Sequence, residues 1–185
     1  FLELDGPFTE SQISYLLQHI HVVLRRQYPA DSASFFIMVQ TNDGTMVTAH
    51  AGDCRLGRLK PDKSIEWLSR AHTLANALGD LSDSALIASP NRHSLTRSFS
   101  SGRLPDPEYG QFALLPDDTL LIATDGFWAE LNSKAQVKFL EGSHASSEEA
   151  VDDKSCLLLR NKVSPVPTRQ IRKTAKQENF YFRST

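Results

Sequence analysis

Carboxylates stand at the ends of apolar segments in three places along this 185-residue chain. The clearest case is Asp125, which follows the apolar run 120–123 and precedes Gly126. A carboxylate at the end of a strand is held on a rigid element yet emerges at a sheet edge, where its oxygens suit a hard divalent cation. The glycine allows the backbone or a bound ion to approach closely. The alternative is that Asp125 only caps the helix predicted over residues 126–131.

The other two places have the same character. Asp152 and Asp153 come just before the strand predicted over residues 156–160, where the alternative is an acidic pair in a turn. Asp53 lies in Ala-Gly-Asp-Cys-Arg at 51–55, between two predicted strands. The alternative there is a β-bulge in which Asp53 pairs locally with Arg55.

A helix near the start of the chain is the first element that must position these groups. Thr9 followed by Gln12 forms a capping box, and Tyr28-Pro29 ends the helix because a residue before proline is disfavoured in the α region. Between these signals, apolar residues recur at the three-and-four spacing of one helix face: Ile13, Leu16, Leu17, Ile20, Val23 and Leu24.

After this helix the pattern becomes that of β-structure. The apolar run 34–40 predicts a strand covered on both faces, and Asn42-Asp43-Gly44 is a hairpin turn signal. The middle of the chain is predicted to form an antiparallel meander, with a short helical patch at 74–78. The predicted strands are 34–40, 45–51, 55–59, 64–68, 109–115, 119–124 and 156–160.

Length and composition favour one domain, over residues 1–160, followed by a linker or tail over 161–185. The segment 178–184 resembles an engineered tag-cleavage sequence, and a natural polar tail is the alternative. Because the chain begins with Phe1 instead of Met, we expect a fragment, a processed product or a missing start.

The charge balance narrows the possible partners. Twenty Lys and Arg against 22 Asp and Glu give a net charge of −2, which does not favour nucleic acid or an anionic membrane. No apolar run approaches the roughly 20 residues of a membrane-spanning helix. Cys54 and Cys156 are too few for a disulfide scaffold, so we expect two buried free thiols and a cytoplasmic protein.

Five stretches in the same order resemble the motifs of the metal-dependent protein phosphatases, the type 2C serine/threonine phosphatase family. The resemblance covers the chain from about Phe8 to Arg160. Its motifs are AGDCR at 51–55, LSRAHT at 68–73, SLTR at 94–97, LLIATDGFWAEL at 120–131 and VDDKSCLLL at 151–159.

The resemblance implies an α+β fold, an antiparallel β-sandwich flanked by helices. It implies that Asp125 and Asp152 ligate Mg²⁺ or Mn²⁺, with Asp53 as a ligand of an additional ion, so that two or three ions are bound. The implied function is hydrolysis of phosphoserine and phosphothreonine in phosphoprotein substrates by a metal-activated water. The alternative is a non-catalytic relative that binds phosphoproteins or scaffolds a signalling complex.

Departures from the family pattern motivate that alternative. Asp5-Gly6 does not continue into the glycines of the family's first metal motif, so we interpret Asp5 as a turn residue and that motif as missing from these residues. Cys54 replaces a serine, Ala71 replaces an aspartate and Asp153 replaces an asparagine of the family pattern. The six histidines show no metal-ligand spacing in the sequence, and His72 is interpreted as structural, with a general acid as the alternative.

Overall fold

The structure, a computed structural model, describes residues 9–41, 44–79, 81–142 and 154–160. Its first element is α1 (Glu10–Gln27), which begins with the predicted capping box: Thr9 and Gln12 each accept from the other's backbone amide. Ile13 and Leu17 are buried on the inner face of this helix. No helix in these residues is long and apolar enough to cross a bilayer.

Two larger antiparallel sheets form the centre of the molecule. Their strands, with those of a small third pair, are β1 (Ser32–Ala33), β2 (Phe35–Gln40), β3 (Thr45–Ala51), β4 (Arg55–Leu59), β5 (Ile65–Trp67), β6 (Phe99–Ser100), β7 (Glu108–Ala113), β8 (Thr119–Ala123) and β9 (Cys156–Arg160). The first sheet has the strand order β2-β3-β7, the second has the order β5-β4-β8-β9, and the small pair joins β1 to β6.

The alternation of side chains along β3 shows how the layers stack. Val47 and Ala49 pack with Ile13 and Leu17 of α1, so helix α1 covers the outer face of the three-stranded sheet. The residues between them point the other way, since successive strand residues face opposite sides. Thr48 lines a cavity of about 270 Å³ together with side chains of β4, so the two sheets face each other.

The outer face of the four-stranded sheet is covered by further helices. Leu121 and Ala123 of β8 pack against Phe127 and Trp128 of α3 (Asp125–Trp128), with Phe139 of α4 (Ser133–Leu140) against the same cluster. A third helix, α2 (Asp83–Ala88), adds Leu86 to this core. The predicted antiparallel sandwich flanked by helices is confirmed.

The local predictions succeeded where the pattern was continuous. The strands at 45–51, 55–59 and 156–160 have the predicted bounds, and the predicted helical patches at 74–78 and 126–131 are shorter, as a 3₁₀ turn (Leu74–Asn76) and α3. Helices α2 and α4 were not predicted. The interpretation of 34–40 as a strand covered on both faces was wrong, because β2 is an edge strand of its sheet in the described residues and its side chains are only half-buried.

The predicted meander was also wrong in its connectivity. β3 pairs with β2 and β7, whereas β4 pairs with β5 and β8. The chain therefore changes sheets between Ala51 and Arg55, and no bulge within one sheet is needed to explain Gly52 and Asp53. The division at residue 160 stays a prediction, because residues 161–185 lie outside the described residues.

Candidate functional site

The junction between β3 and β4 holds the first predicted ligand, Asp53. Gly52 has a φ of +108°, and a Cβ there would overlap Ser34 Oγ and lie 2.7 Å from Ser34 Cα. The close approach lets the Ser34 hydroxyl donate to Asp53 Oδ1 at 2.6 Å and accept from the Asp53 amide at 3.2 Å. The turn that changes sheets thus also fixes the Asp53 side chain.

Arg55, the first residue of β4, anchors the same junction through contacts with Trp67, Trp128 and Asp83. Its guanidinium lies 4.6 Å from the ring of Trp67 and 5.1 Å from the ring of Trp128, and donates to Asp83 at 2.7 Å. Burial lowers the pKa of Arg55, and Asp83 opposes that change. The local pairing of Asp53 with Arg55 considered from the sequence is therefore wrong: the partner of Arg55 is Asp83 on α2.

Asp125 lies where β8 passes into α3. Thr124 occupies the N-cap position, so Asp125 is the first helical residue and not the cap. Its Oδ1 accepts from the amide of Gly126 at 3.0 Å. Trp128 of the same helix is buried and donates from Nε1 to the backbone oxygen of Asp53 at 2.9 Å, which ties this helix to the β3–β4 junction.

The negative charges of Asp53 and Asp125 both raise the pKa of one thiol, that of Cys54. Burial raises the pKa of Cys54 to about 11, and the negative charges of Asp53 and Asp125 contribute to the increase. The register explains this convergence, because Arg55 of β4 lies opposite Ala123 of β8. Asp53 lies two residues before Arg55 and Asp125 lies two residues after Ala123, so in this antiparallel pair both lie at the same end of the sheet. Two of the three predicted ligands thus lie together.

Asp152 lies outside the described residues. The chain that follows it enters the sheet at the same end, since Cys156 lies opposite Ala123 in the β8–β9 pair. Ser155 and Thr124 are joined by backbone and side-chain hydrogen bonds of 3.1 Å. The assignment of Asp53, Asp125 and Asp152 as ligands stays a prediction.

A cationic group at this edge was not predicted from the sequence. Arg92 and His93, in the 3₁₀ turn Pro90–His93, each lie 3.7 Å from Asp125 Oδ2. Arg92 also lies 3.9 Å from Glu130. No local pattern could have found this pairing, because more than thirty residues separate Arg92 from Asp125.

A cluster of three titratable side chains was likewise not predicted from the sequence. His50, His72 and Glu108 offer ligand atoms within 4.8 Å of one another, close enough to hold a metal ion. Glu108 lies opposite His50 in the β3–β7 pair, and only that non-local pairing creates the group. We call these three residues the histidine group. It contains none of the three predicted ligands.

The geometry of the histidine group favours structural contacts. The rings of His50 and His72 stack with centroids 4.6 Å apart and planes at 15°. Imidazole lone pairs lie in the ring plane, so two nearly parallel rings do not direct both at one ion. His72 Nε2 lies 3.1 Å from Glu108 Oε2, and His50 Nε2 donates to the backbone oxygen of Arg70 at 3.1 Å.

Comparison with solved structures identifies the class of the fold as that of the PPM, or type 2C, serine/threonine phosphatases. The structure of the serine/threonine phosphatase of S. agalactiae matches with a TM-score of 0.60 and 18% identity, covering 79% of this chain and 64% of that one. The catalytic domain of the phosphatase PstP, in complex with two manganese ions, matches with a TM-score of 0.59 and 14% identity, covering 83% of this chain and 73% of that one.

The sequence comparison agrees with the fold. A curated protein of Streptococcus pyogenes serotype M6, named as a phosphatase of the 2C type, is 29% identical over 110 residues. The match covers 58% of this chain and 44% of that protein, so the chain spans less than half the length of this relative. No family model matches the chain. The resemblance drawn from the five motifs is confirmed.

Proposed function

We propose that this chain is a metal-dependent serine/threonine protein phosphatase domain whose ions are held by Asp125, Asp152 and Asp53. The observation that carries the proposal is geometric: Asp53 and Asp125 flank the paired residues Arg55 and Ala123 at the same end of the sheet, and Trp128 of α3 is hydrogen-bonded to the backbone oxygen of Asp53. The order of the five motifs and the type 2C fold support it.

The donor set fits hard cations. Asp53 and Asp125 present carboxylate oxygens, which Mg²⁺ and Mn²⁺ prefer. Burial is the main cause of the raised pKa of the Cys54 thiol, and the negative charges of Asp53 and Asp125 add to it. Two bound divalent ions would neutralise that charge, lower the pKa of a water and stabilise the phosphoryl oxygens. Two or three ions are part of the proposal.

This chain's own residues position the donors and limit their motion. Ser34 and the turn at Gly52 hold Asp53, and the buried α3 holds Asp125. The side chain of Asp125 is 14% exposed, so most of its surface contacts protein. Phosphoserine and phosphothreonine in proteins are the proposed substrates. The free thiols of Cys54 and Cys156 agree with a reducing compartment, and we propose the cytoplasm.

The test is hydrolysis of p-nitrophenyl phosphate by the chain with Mn²⁺, with and without a chelator. Asp125→Asn keeps the shape of the side chain and removes its charge. We expect it to lower turnover by more than about a hundredfold, because even residues that only support metal ligands cost about 10- to 100-fold. Asp106→Asn, at a side chain that is 74% exposed, is the matched control.

Full activity of Asp125→Asn, with an unchanged unfolding midpoint, would contradict the ligand assignment. Binding of a phosphoserine peptide by the wild-type chain without any turnover would instead indicate the non-catalytic alternative. Loss of activity in Asp106→Asn as well would show that the effect is not specific to the site.

A further inference from the structure

Arg92 is a mostly buried cation with one guanidinium nitrogen left without a hydrogen-bond partner in the described residues. Its side chain is 16% exposed, and within the described residues its NH1 nitrogen is buried with no hydrogen-bond partner. Leaving a buried donor unpaired is unfavourable, and more so for a charged group. Such a donor is suited to bind an acceptor from a ligand.

The neighbouring carboxylates do not satisfy Arg92. The distances of 3.7 Å to Asp125 and 3.9 Å to Glu130 exceed the 2.7–2.9 Å typical of a charged hydrogen bond. These contacts are therefore charge pairs longer than hydrogen bonds, and the Nη1 nitrogen keeps its N–H donors unused within the described residues. Arg92 is also rigidly placed, since it lies in a 3₁₀ turn whose first residue is Pro90.

The charge around Arg92 indicates which ligand fits. Asp125 and Glu130, 14% and 15% exposed, face this one guanidinium. Divalent ions bound by Asp125 would offset the charge of that carboxylate and leave Glu130, 3.9 Å away, as the acidic side chain that faces Arg92. A phosphoryl group fits both the ions and the guanidinium, because its oxygens accept from the guanidinium fork while facing the ions.

We propose that Arg92 binds the phosphoryl oxygens of a phosphate monoester at the site of Asp125. This inference rests on the proposed function for the position of the phosphoryl group, and it adds the residue that holds the substrate. His93, whose side chain is 56% exposed, lies 3.7 Å from the same carboxylate oxygen of Asp125.

The test measures binding of inorganic phosphate by titration calorimetry in the presence of Mg²⁺, so that it does not depend on turnover. We expect Arg92→Gln to weaken phosphate binding by about 10- to 100-fold, the effect of losing charged hydrogen bonds. Arg92→Lys keeps the charge without the fork, and we expect an intermediate loss of roughly fivefold. Arg26→Gln, at an exposed position of α1, makes the same change in net charge and is expected to bind as wild type.

Phosphate binding by Arg92→Gln equal to wild type, or no phosphate binding by the wild-type chain, overturns the inference. If Arg92→Gln fails to fold, as judged by circular dichroism, Arg92→Lys decides, and unchanged binding by that variant overturns it. Phosphate binding that depends on Arg92 in a chain that hydrolyses no p-nitrophenyl phosphate supports this inference and contradicts only the proposed function.

Discussion

The molecule contains two clusters of titratable side chains that differ in how their groups are satisfied. In the histidine group, His72 Nε2 lies 3.1 Å from Glu108, the imidazoles stack, and His72 Nδ1 is buried without a hydrogen-bond partner within the described residues. At the edge formed by Asp53, Asp125 and Arg92, which we call the carboxylate edge, Arg92 Nη1 is likewise buried without a hydrogen-bond partner and lies 3.7 Å from Asp125. Each cluster thus has one unpaired buried nitrogen, but the first contains a contact at hydrogen-bond distance between its own members, whereas the charge pairs of Arg92 are 3.7 and 3.9 Å long and leave room for a ligand.

Their origins in the chain differ as well. The histidine group arises from the pairing of β3 with β7 and from stacking of His72 on His50, with both imidazoles buried and the Glu108 side chain 44% exposed. The carboxylate edge arises where strands end, at the β3–β4 junction and at the start of α3. The carboxylate edge is built from the loop and turn segments that connect the strands, and such segments carry binding residues more often than the paired strands do.

The largest expected effect concerns the turn that builds the carboxylate edge. Gly52→Ala adds a Cβ that overlaps Ser34 and forces a φ of +108° on a residue with a side chain. We expect a loss of roughly 2–4 kcal/mol in the free energy of unfolding, measured by urea denaturation. Gly102→Ala, where a Cβ meets open space, should change it by less than about 0.5 kcal/mol. Equal effects of the two substitutions would refute the close-packed turn.

The pH dependence of stability tests the histidine group. Burial lowers the pKa of His50; the Arg70 carbonyl opposes this, and the nearby His72 adds to it. Because the unfolded chain binds this proton more readily, the stabilising contribution is present above the ordinary pKa of about 6.5 and is lost as the pH falls below it. We expect the urea midpoint to fall between pH 7 and pH 5.

In a His50→Gln variant this fall should be smaller than in wild type. His19→Gln, at an exposed position of α1, serves as the control and should keep the wild-type slope. Measurements above pH 5 avoid Glu108: burial raises its pKa, but the hydrogen bond and charge of His72 outweigh that and hold the pKa below its usual value. An unchanged slope in His50→Gln would show that His50 is not buried in its neutral form.

The smallest expected effect distinguishes the two thiols. Burial alone raises the pKa of Cys156 to about 12, whereas Asp53 and Asp125 contribute to the rise to about 11 at Cys54. Both thiols should react with an alkylating reagent at pH 8 far more slowly in the native chain than in urea. Asp125→Asn should accelerate modification of Cys54 but not of Cys156, as followed by mass spectrometry. Equal modification rates for Cys54 in wild type and in Asp125→Asn would show that Asp125 does not contribute to the raised pKa of this thiol.

Much of the secondary structure could be predicted because its signals are local. The capping box at Thr9 and the apolar run before Asp125 specify an element from neighbouring residues alone, and both elements formed as expected. Helix α4 was missed because its hydrophobic signal is weak, and it is held by contacts such as that of Phe139 with Phe127. Such contacts depend on segments distant in the sequence.

The candidate site was likewise predictable only in part: its carboxylates could be recognised from the sequence, but the strand pairing that brings them together could not. Its carboxylates were recognisable one at a time, because each stands at the end of an apolar run and belongs to a motif with a known order. Which strands pair was not encoded in any local pattern, since β4 could pair with β3 as well as with β8 on propensity alone. Burial of the apolar faces between α1, two sheets and α3 selected one pairing. That selection brought Asp53, Asp125 and Arg92 to a single edge.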